Sequence, residues 1–251
     1  EAVLNGILLG GLLALLSLGL NLIFGVIDVV WICYAELIMI GMYAVYALHV
    51  QQHWPLVAAM AAGIAIVALL GALMHQFVIR PVLAAEPINQ LLVTGGMLFF
   101  LQAAATLAFG IEFRNLGVKL PPIAIGEMSF SMARLIAFAV AVAGVAATWL
   151  FLSRTYVGTA IRAISQDRQI MPLMGIDSRR VYLVTSAIGG GLAGLAASLM
   201  ALQYDIYPQI GLQFGPLIFM ICVLGGLGNM IGGFIAAFII SVRSPVIVFT
   251  R

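Results

Sequence analysis

The sequence predicts an all-α integral membrane protein, a polytopic bundle of about seven or eight transmembrane helices, some of them broken. Of its 251 residues, 64% are hydrophobic and only 8% are charged, whereas about a quarter of an ordinary soluble domain is charged. The mean hydropathy of +1.18 is too high for a chain that must cover its surface with polar groups. The apolar residues also form continuous runs, and a hydrocarbon core about 30 Å thick requires about 20 helical residues to cross.

Seven of these runs are long enough to span a membrane, and an eighth begins near residue 245. The seven predicted spans are 3–26, 29–50, 55–79, 88–110, 133–153, 181–203 and 214–242. The junction at residues 25–28 is too short for an ordinary loop between two spans. It is either a tight turn or a re-entrant bend. The last run has a glycine-rich middle, so it is either one tightly packed helix or two half-helices.

We predict one transmembrane domain over residues 1–251. The chain begins at Glu1 without a methionine and stops at Arg251 as a new apolar run begins, so both ends are expected to be trimmed. The net charge of +2 gives no reason to expect a nucleic-acid partner. Cys33 and Cys222 lie in apolar runs without metal-ligand spacing, so we interpret them as packing residues and expect no metal site.

Two of the loops between the spans are substantial, an external one at 111–132 and a cytoplasmic one at 154–180. The positive-inside rule supports this orientation, because it places seven basic residues inside and three outside. The inside set is Arg80, Arg154, Arg162, Arg168, Arg179, Arg180 and Arg243, and the outside set is Arg114, Lys119 and Arg134. The N-terminus is then expected outside.

The cytoplasmic loop contains a short amphipathic segment between Gly158 and Gly175. Ile161, Ile164 and Met171 recur at roughly helical spacing, and polar residues fill the positions between them. The segment is too short to cross a bilayer. It either lies on the membrane surface or inserts into a groove of a cytosolic partner.

Three pieces of this sequence resemble the permease subunits of bacterial branched-chain amino acid importers driven by ATP-binding cassettes. The run Gly158-Thr159-Ala160-Ile161-Arg162-Ala163, followed by Asp167 and by Met174-Gly175-Ile176-Asp177, is similar to that family's cytoplasmic loop. The glycine-rich stretch at 189–196 and the run Val223-Leu224-Gly225-Gly226-Leu227-Gly228-Asn229 follow in family order. The resemblance covers most of residues 80–242.

The resemblance implies that the cytoplasmic loop carries a coupling helix that docks into a cleft of an ATPase subunit. Ile161, Ile164 and Met171 would then be buried anchors in the partner, with Arg162 and Asp167 at the rim. The candidate coupling residues are Gly158, Ile161, Arg162, Ala163, Ile164, Gln166, Asp167, Met171 and Gly175. The implied partners are two cytosolic ATPase subunits, a second permease subunit, either identical or paralogous, and an extracytoplasmic solute-binding protein, at a bacterial inner membrane.

The chain has no Gly-x-x-x-x-Gly-Lys-Ser/Thr loop, so we expect it to bind no cofactor, with ATP and magnesium used by the partner subunits. It also lacks a Gly-x-Ser-x-Gly or His-Glu-x-x-His motif, and we expect no catalytic residue and no enzyme activity. The competing hypothesis is an ion-coupled secondary transporter, which broken helices and buried carboxylates also suit. Such a carrier would not need the cytoplasmic loop in this form.

Polar residues within the spans are candidates for a substrate path. An ionisable group in the bilayer costs at least ~2.5–3.5 kcal/mol and is usually paired or faces water. Asp28 and Glu36 are eight residues apart and would share a face of one continuous helix. The path candidates are Asn21, Asp28, Trp31, Tyr34, Glu36, Thr94 and Gln102. The alternative is an interfacial Asp28 in a turn, with the other side chains in interhelical hydrogen bonds.

The cargo is left open by one departure from the family pattern. After Phe24-Gly25-Val26-Ile27, the family has Asn-Phe-Ala-His-Gly-Glu, and this chain has Trp31-Ile32-Cys33-Tyr34-Ala35-Glu36, which keeps the glutamate alone. Branched-chain or other hydrophobic amino acids are the first expectation. Urea or short amides, aromatic acids, and sugars or nucleosides follow, because one scaffold can carry different cargoes.

Overall fold

The computed structural model describes residues 2–118, 123–125, 128–168 and 171–243. Its α-helices are α1 (Ala2–Ile27), α2 (Tyr34–Tyr46), α3 (Leu56–Met74), α4 (Arg80–Val82), α5 (Pro87–Phe109), α6 (Met132–Arg154), α7 (Tyr156–Gln166), α8 (Ser178–Met200), α9 (Ile210–Gly225) and α10 (Met230–Arg243). A π-helical turn at Ala47–Gln51 extends α2, and another at His75–Ile79 joins α3 to α4. In the external loop, the short strands β1 (Ile123–Ile125) and β2 (Met128–Phe130) pair antiparallel.

The predicted all-α membrane bundle is confirmed. Within the described residues, five helices are long and apolar enough to cross a membrane. They are Gly6–Ile27, Leu56–Val82, Pro87–Phe109, Met132–Arg154 and Ser178–Met200. Together with α2, α9 and α10, which are shorter and apolar, they account for the seven predicted spans. The eighth span expected near residue 245 lies outside the described residues.

The second predicted span was wrong at its start, because residues 28–33 are not helical. We call them the re-entrant segment. Helix α1 ends at Ile27, Asp28 then adopts the left-handed conformation with φ of 61°, and the chain re-enters the bundle as non-helical backbone, with Val29 and Trp31 each 1% exposed. Asp28 and Glu36 therefore do not share one continuous helix, which corrects the expectation from their spacing. Non-helical backbone at membrane depth is tolerated when it is buried in protein or lines a cavity.

The last predicted span is two helices, α9 and α10, separated by residues 226–229. Gly226 and Gly228 both have positive φ there, 88° and 82°, a conformation that glycine adopts without a steric penalty. The two helices form a tight hairpin, because a side chain at Gly225 would meet the backbone of Gly233 at 2.5 Å or less. Of the two alternatives for this run, the broken helix is the one observed.

Helix α1 lies at the centre of the bundle and packs against α6, α8, α9 and α10. It is apolar on every side, and its residues from Leu12 to Leu16 are at most 2% exposed, as expected for a helix surrounded by others. By contrast, α3, α5 and α6 are mostly uncovered, with 11–22% of their spanning windows buried. Their apolar outer faces are therefore available to lipid or to another subunit.

Helices α3 and α8 approach each other along a seam of small residues. A side chain at Gly190 would lie 2.6 Å from the carbonyl oxygen of Val67 and 3.1 Å from the Cα of Gly71. A side chain at Gly194 would lie 2.9 Å from the Cα of Ile64. Because small residues let backbones approach closely in lipid, the glycine run at 189–191 has a packing role.

Contacts between loops show which helix ends share a side of the membrane. Asp28 forms an ion pair with Arg168, so α1 ends on the side of the cytoplasmic loop. The N-terminus then lies on the side opposite to this loop, which is the outside if the loop is cytoplasmic, as the charge pattern predicts. One part of that count was wrong. Helix α10 packs antiparallel to α1, with Ser241 against Gly10, so Arg243 lies at the outer end of α10 rather than inside.

Candidate coupling loop and membrane cavity

Helix α7 of the cytoplasmic loop begins directly after α6 ends. The side chain of Thr155 accepts a hydrogen bond from the backbone N–H of Gly158 at 3.0 Å, which caps the first turn of α7. Gly158 is pressed against α6, because a side chain there would lie 2.5 Å from the Cα of Leu152. The predicted amphipathic helix is therefore present, and it is fixed to the membrane domain at its first turn.

The apolar ridge of α7 faces the protein's own bundle. Ile161 is 1% exposed and Ile164 is fully buried, and α7 packs against α1, α6 and α8. Met171 is half-buried against the same core. These residues were expected to be anchors in a partner's cleft, and the structure instead uses them to hold α7 on the membrane domain. The reason is that the nearest apolar surface is the bundle itself.

The outer face of α7 carries a different set of candidate residues. Tyr156 is 84% exposed, and Arg162, Gln166 and Asp167 are exposed as well, with Ala163 half-buried. A partner that approaches the loop from the cytoplasm therefore meets an aromatic ring and polar side chains. Tyr156, the first residue of α7, was not among the candidates from sequence, because it precedes the segment between Gly158 and Gly175 in which the amphipathic pattern was found.

The cytoplasmic loop returns to the membrane through a bend at Gly175. Gly175 is exposed and has a φ of 80°, a backbone conformation that residues with a side chain rarely adopt. Two residues later the carboxylate of Asp177 accepts hydrogen bonds from the N–H groups of Arg179 and Arg180, at 3.1 and 3.4 Å. This cap starts α8. Gly175 thus sets the direction in which α8 leaves the loop.

The re-entrant segment is held by its own side chains. The indole N–H of Trp31 donates to the sulfur of Cys33 at 2.8 Å, and the hydroxyl of Tyr34 donates to the carbonyl oxygen of Gly189 at 3.1 Å. Trp31 and Tyr34 are each 1% exposed, and their rings meet edge to face at 6.3 Å. These contacts stabilise a non-helical turn deep in the bundle.

A cavity of about 210 Å³ lies beside this segment. Its wall is formed by the re-entrant segment and the start of α2, by α1, by α5 and by α9, and it is almost wholly apolar. The lining residues are Leu20, Trp31, Ile32, Tyr34, Ala35, Leu98, Gly211, Leu212, Gly215, Pro216, Ile218 and Phe219. Gly211 and Gly215 let α9 approach α2 closely at this wall, because a side chain at Gly215 would lie 3.2 Å from the Cβ of Ala35 and one at Gly211 would meet Glu36.

Glu36 lies behind this wall, fully buried. Its Oε1 accepts a hydrogen bond from the side-chain amide of Gln102 at 3.1 Å, and its Oε2 has no hydrogen-bond partner among the described residues. The carboxylate faces Gly211 in the first turn of α9, and a side chain at Gly211 would lie 2.6 Å from its Cδ. The N-terminus of α9, which is the positive end of the helix dipole, therefore faces this carboxyl group.

Helix α5 is joined to the same region by a second polar contact. The Thr94 hydroxyl, which is buried, lies 3.2 Å from the carbonyl oxygen of Val30 and within hydrogen-bond distance of two carbonyls of its own helix. With the Glu36–Gln102 bond, this contact attaches α5 to the re-entrant segment and to α2. The structure therefore brings five path candidates together, namely Trp31, Tyr34, Glu36, Thr94 and Gln102.

Two other path candidates lie elsewhere. The side chain of Asn21 accepts a hydrogen bond from the N–H of Gly228 at 3.2 Å, so it supports the turn between α9 and α10. Asp28 lies at the cytoplasmic end of α1 with its side chain 59% exposed. Neither lines the cavity. Asp28 instead follows the alternative interpretation of an interfacial residue in a turn.

The wall contributed by α5 and α9 was not anticipated from sequence. Leu98 and Phe219 are ordinary apolar residues within long apolar runs, and nothing in the sequence distinguishes them from lipid-facing neighbours. A weak signal existed in Gly211, Gly215 and Pro216, which place two small residues and a helix-disturbing one on consecutive turns. Such positions often mark a close approach or an opening in a membrane helix.

A polytopic helix bundle with a non-helical segment and an apolar cavity between its helices is an architecture that membrane transporters use. Comparison with known proteins shows to which transporter family the chain belongs. The chain belongs to the family described as branched-chain amino acid transport system / permease component, which matches residues 2–250. The sequence resemblance described above is thereby confirmed.

Two curated relatives are similar over nearly the whole chain. The high-affinity branched-chain amino acid transport system permease protein BraD of Pseudomonas aeruginosa is 29% identical over 257 residues, covering 96% of this chain and 84% of that protein. LivH of Escherichia coli strain K12, a permease protein of the same kind of system, is 28% identical over 261 residues, covering 96% and 83%. No solved structure matches the chain.

Proposed function

We propose that this chain forms part of the translocation path of an ATP-driven importer whose cargo is a branched-chain or similarly apolar amino acid. The observation that carries the proposal is the apolar cavity beside Glu36, in a chain whose family is described by branched-chain amino acid transport. The full names of the relatives BraD and LivH both specify branched-chain amino acid transport. The apolar cavity gives a physical reason to propose the same cargo for this chain.

The chemistry of the wall favours an apolar side chain over the other cargoes. A sugar, a nucleoside or urea needs several hydrogen-bond partners when it leaves water, because an unpaired buried polar group costs about 1–3 kcal/mol. The wall offers few, since the hydroxyl of Tyr34 is already bonded to Gly189. Glu36, buried behind the wall with one oxygen unpaired, is the acceptor that we propose for the ammonium group of an amino acid.

The energy source in this proposal is ATP, bound with magnesium by two separate cytosolic ATPase subunits. The outer face of α7 is the docking surface, with Tyr156, Arg162 and Gln166 in contact and Ile161 and Ile164 transmitting the motion to the bundle. Closure of the ATPase pair then moves α7 as a lever and shifts the membrane helices between outward- and inward-facing states. The chain itself performs no hydrolysis.

The opening of the cavity bears on one of the remaining partners, the second permease subunit. It opens at a side of the chain where Ile32, Leu212 and Phe219 are 40–44% exposed, and we propose that a second permease subunit closes it there. A solute-binding protein delivers the cargo from outside, and the assembly lies in a bacterial inner membrane.

The proposal is tested first by purifying the tagged chain from its native membranes in a mild detergent and identifying what accompanies it by mass spectrometry. We expect an ATPase subunit and a second permease, and ATP-dependent uptake of leucine by the reconstituted complex. Recovery of the chain alone in several mild detergents, with uptake driven by an ion gradient, would establish an ion-coupled carrier instead.

Filling the cavity is expected to change the cargo preference. Leu98 is 8% exposed and lines the cavity, so Leu98→Trp should raise the KM for leucine by about tenfold and affect alanine less, because excess bulk in an apolar pocket discriminates on this scale. Uptake by the reconstituted complex measures both constants. The control is Leu92→Trp on the same helix, where the side chain is 68% exposed. Equal effects of the two variants would remove Leu98 from the cargo site.

The bend at Gly175 is expected to be essential for coupling. Gly175→Val places a β-branched residue at a φ of 80°, which costs about 1–3 kcal/mol and forces the loop to change direction before α8. Uptake should be blocked while membrane insertion stays normal. Met174→Val is the control, since Met174 is 72% exposed and lacks this conformation. Normal uptake by the Gly175→Val variant at normal expression would count against the coupling role of the loop.

A further inference from the structure

We propose that Arg168 and Asp28 are positioning residues that link the cytoplasmic loop to the wall of the cavity. This inference rests on the proposed function and adds the connection through which movement of α7 reaches the cargo. It concerns one contact between parts of the chain that are 140 residues apart in sequence. The contact is made at the point where α1 ends and the re-entrant segment begins.

The geometry of the contact joins one nitrogen to two acceptors. The Nη1 of Arg168 lies 3.1 Å from a carboxylate oxygen of Asp28 and 3.3 Å from the carbonyl oxygen of Ile27. The last carbonyls of a helix have no partner within the helix and lie at its negative dipole end, so a guanidinium is favourable there. Arg168 therefore holds both the end of α1 and the first residue beyond it.

On the loop side, Arg168 directly follows α7. Helix α7 ends at Gln166, and Asp167 has extended backbone, so little slack separates Arg168 from the helix that faces the ATPase. Because Ile161 and Ile164 also press α7 onto the bundle, a displacement of α7 by the partner moves Arg168 with it. The loop thus has a polar attachment to α1 in addition to its apolar one.

On the membrane side, Asp28 begins the segment that forms the cavity wall. Its φ of 61° is what turns the chain back into the bundle. Two residues later the carbonyl oxygen of Val30 lies 3.2 Å from the hydroxyl of Thr94 on α5, and Trp31 and Ile32 line the cavity. Asp28 is therefore two residues from the contact with α5 and three to four residues from the wall of the cavity, so a displacement of Asp28 acts on both.

The same contact has little importance for folding. Its side chains are 34% and 59% exposed, and partly exposed ion pairs contribute little to stability. Removing it should leave the protein folded and affect how loop motion reaches the cavity. A second ion pair in the same loop, Arg180 to Asp177 at 3.2 Å, links only neighbouring residues and provides the matched control.

The test is a double-mutant cycle on the reconstituted transporter, with the ratio of cargo transported to ATP hydrolysed as the readout. Asp28→Asn keeps the side-chain shape and tolerates the left-handed backbone, and Arg168→Gln removes the charge on the other side. We expect each variant to lower the ratio by roughly three- to tenfold while ATP hydrolysis continues. The double variant should be no worse than Arg168→Gln alone, because that variant already removes the ion pair with Asp28 together with the bond to Ile27.

The controls separate the possible outcomes. Arg180→Gln should leave the ratio unchanged, and Arg168→Lys should restore part of it, since lysine keeps the charge without the guanidinium geometry. An unchanged ratio in Asp28→Asn or in Arg168→Gln, or losses that add in the double variant, would overturn the link. If the unmodified chain binds no ATPase and shows no ATP-dependent uptake, the proposed function itself fails and the link fails with it.

Discussion

Gly190→Leu is expected to leave little folded protein in the membrane. A side chain at Gly190 would lie 2.6 Å from the backbone oxygen of Val67 and 3.1 Å from the Cα of Gly71. Backbone atoms of a packed helix cannot move aside as the end of a flexible side chain does. Small-to-large changes in a packed interior already cost about 1–3 kcal/mol, and here two helix axes must separate. The steady-state amount in membranes and the melting temperature in detergent measure the effect.

The matched control is the next residue along the chain. A side chain at Gly191 would meet only the Cβ of Ala68, at 3.6 Å, which is ordinary van der Waals contact. Gly191→Ala should therefore keep nearly the normal melting temperature, whereas Gly190→Ala should already lower it measurably. Equal melting temperatures for the two alanine variants would mean that α3 and α8 do not approach as closely as the seam at Gly190 requires.

Gly158→Ala is expected to abolish most of the uptake while leaving the protein in the membrane. The added methyl group would lie 2.5 Å from the Cα and the carbonyl oxygen of Leu152 and 2.6 Å from the carbonyl oxygen of Phe151. All three atoms belong to the backbone of α6, so α7 must tilt away and withdraw Ile161 and Ile164 from the bundle. Helix α7, proposed above to transmit motion from the ATPase, then loses its contact with the bundle. Uptake normalised to the amount of membrane-inserted protein should fall at least tenfold.

Thr159→Val serves as the control for this variant. Thr159 is the next residue of α7 and is exposed, so the substitution tests helix formation in the same turn without touching α6. It should retain uptake within about twofold, because replacing an exposed residue usually changes stability by no more than about 0.5 kcal/mol. If Gly158→Ala transports as well as Thr159→Val does, the contact between α6 and α7 has no part in coupling.

The positions of the membrane spans were well predicted because lipid imposes a simple requirement. A helix that crosses the bilayer satisfies its own backbone, and its length follows from the thickness of the hydrocarbon core. Five spans agree with their predictions within a few residues. The exceptions are instructive, since residues 28–33 and 226–229 are as apolar or glycine-rich as the helices beside them. The end of α1 was predicted within one residue, but composition did not reveal that the chain stays non-helical as far as residue 33, and it left open whether the glycine-rich run is broken.

For the coupling segment, too, the sequence pattern predicted the helix but not the surface against which it packs. Its amphipathic spacing predicted a helix with an apolar ridge of Ile161 and Ile164, and α7 has that ridge. The direction in which the ridge faces was wrong, because periodicity tells which residues share a face and is silent about which surface covers them. The bundle covers the ridge here, so Tyr156 and Arg162 remain for a partner.

By itself, the sequence determined that this protein is a helical membrane permease of the branched-chain amino acid transport family, with one cytoplasmic loop of distinctive pattern. Those properties depend on composition and on local spacing, which the chain carries in linear order. The cavity wall, the pairing of Glu36 with Gln102 and the contact of Arg168 with Asp28 were decided by tertiary structure alone. Each joins residues 66 or more positions apart, and only packing of the helices can select such partners among many similar side chains.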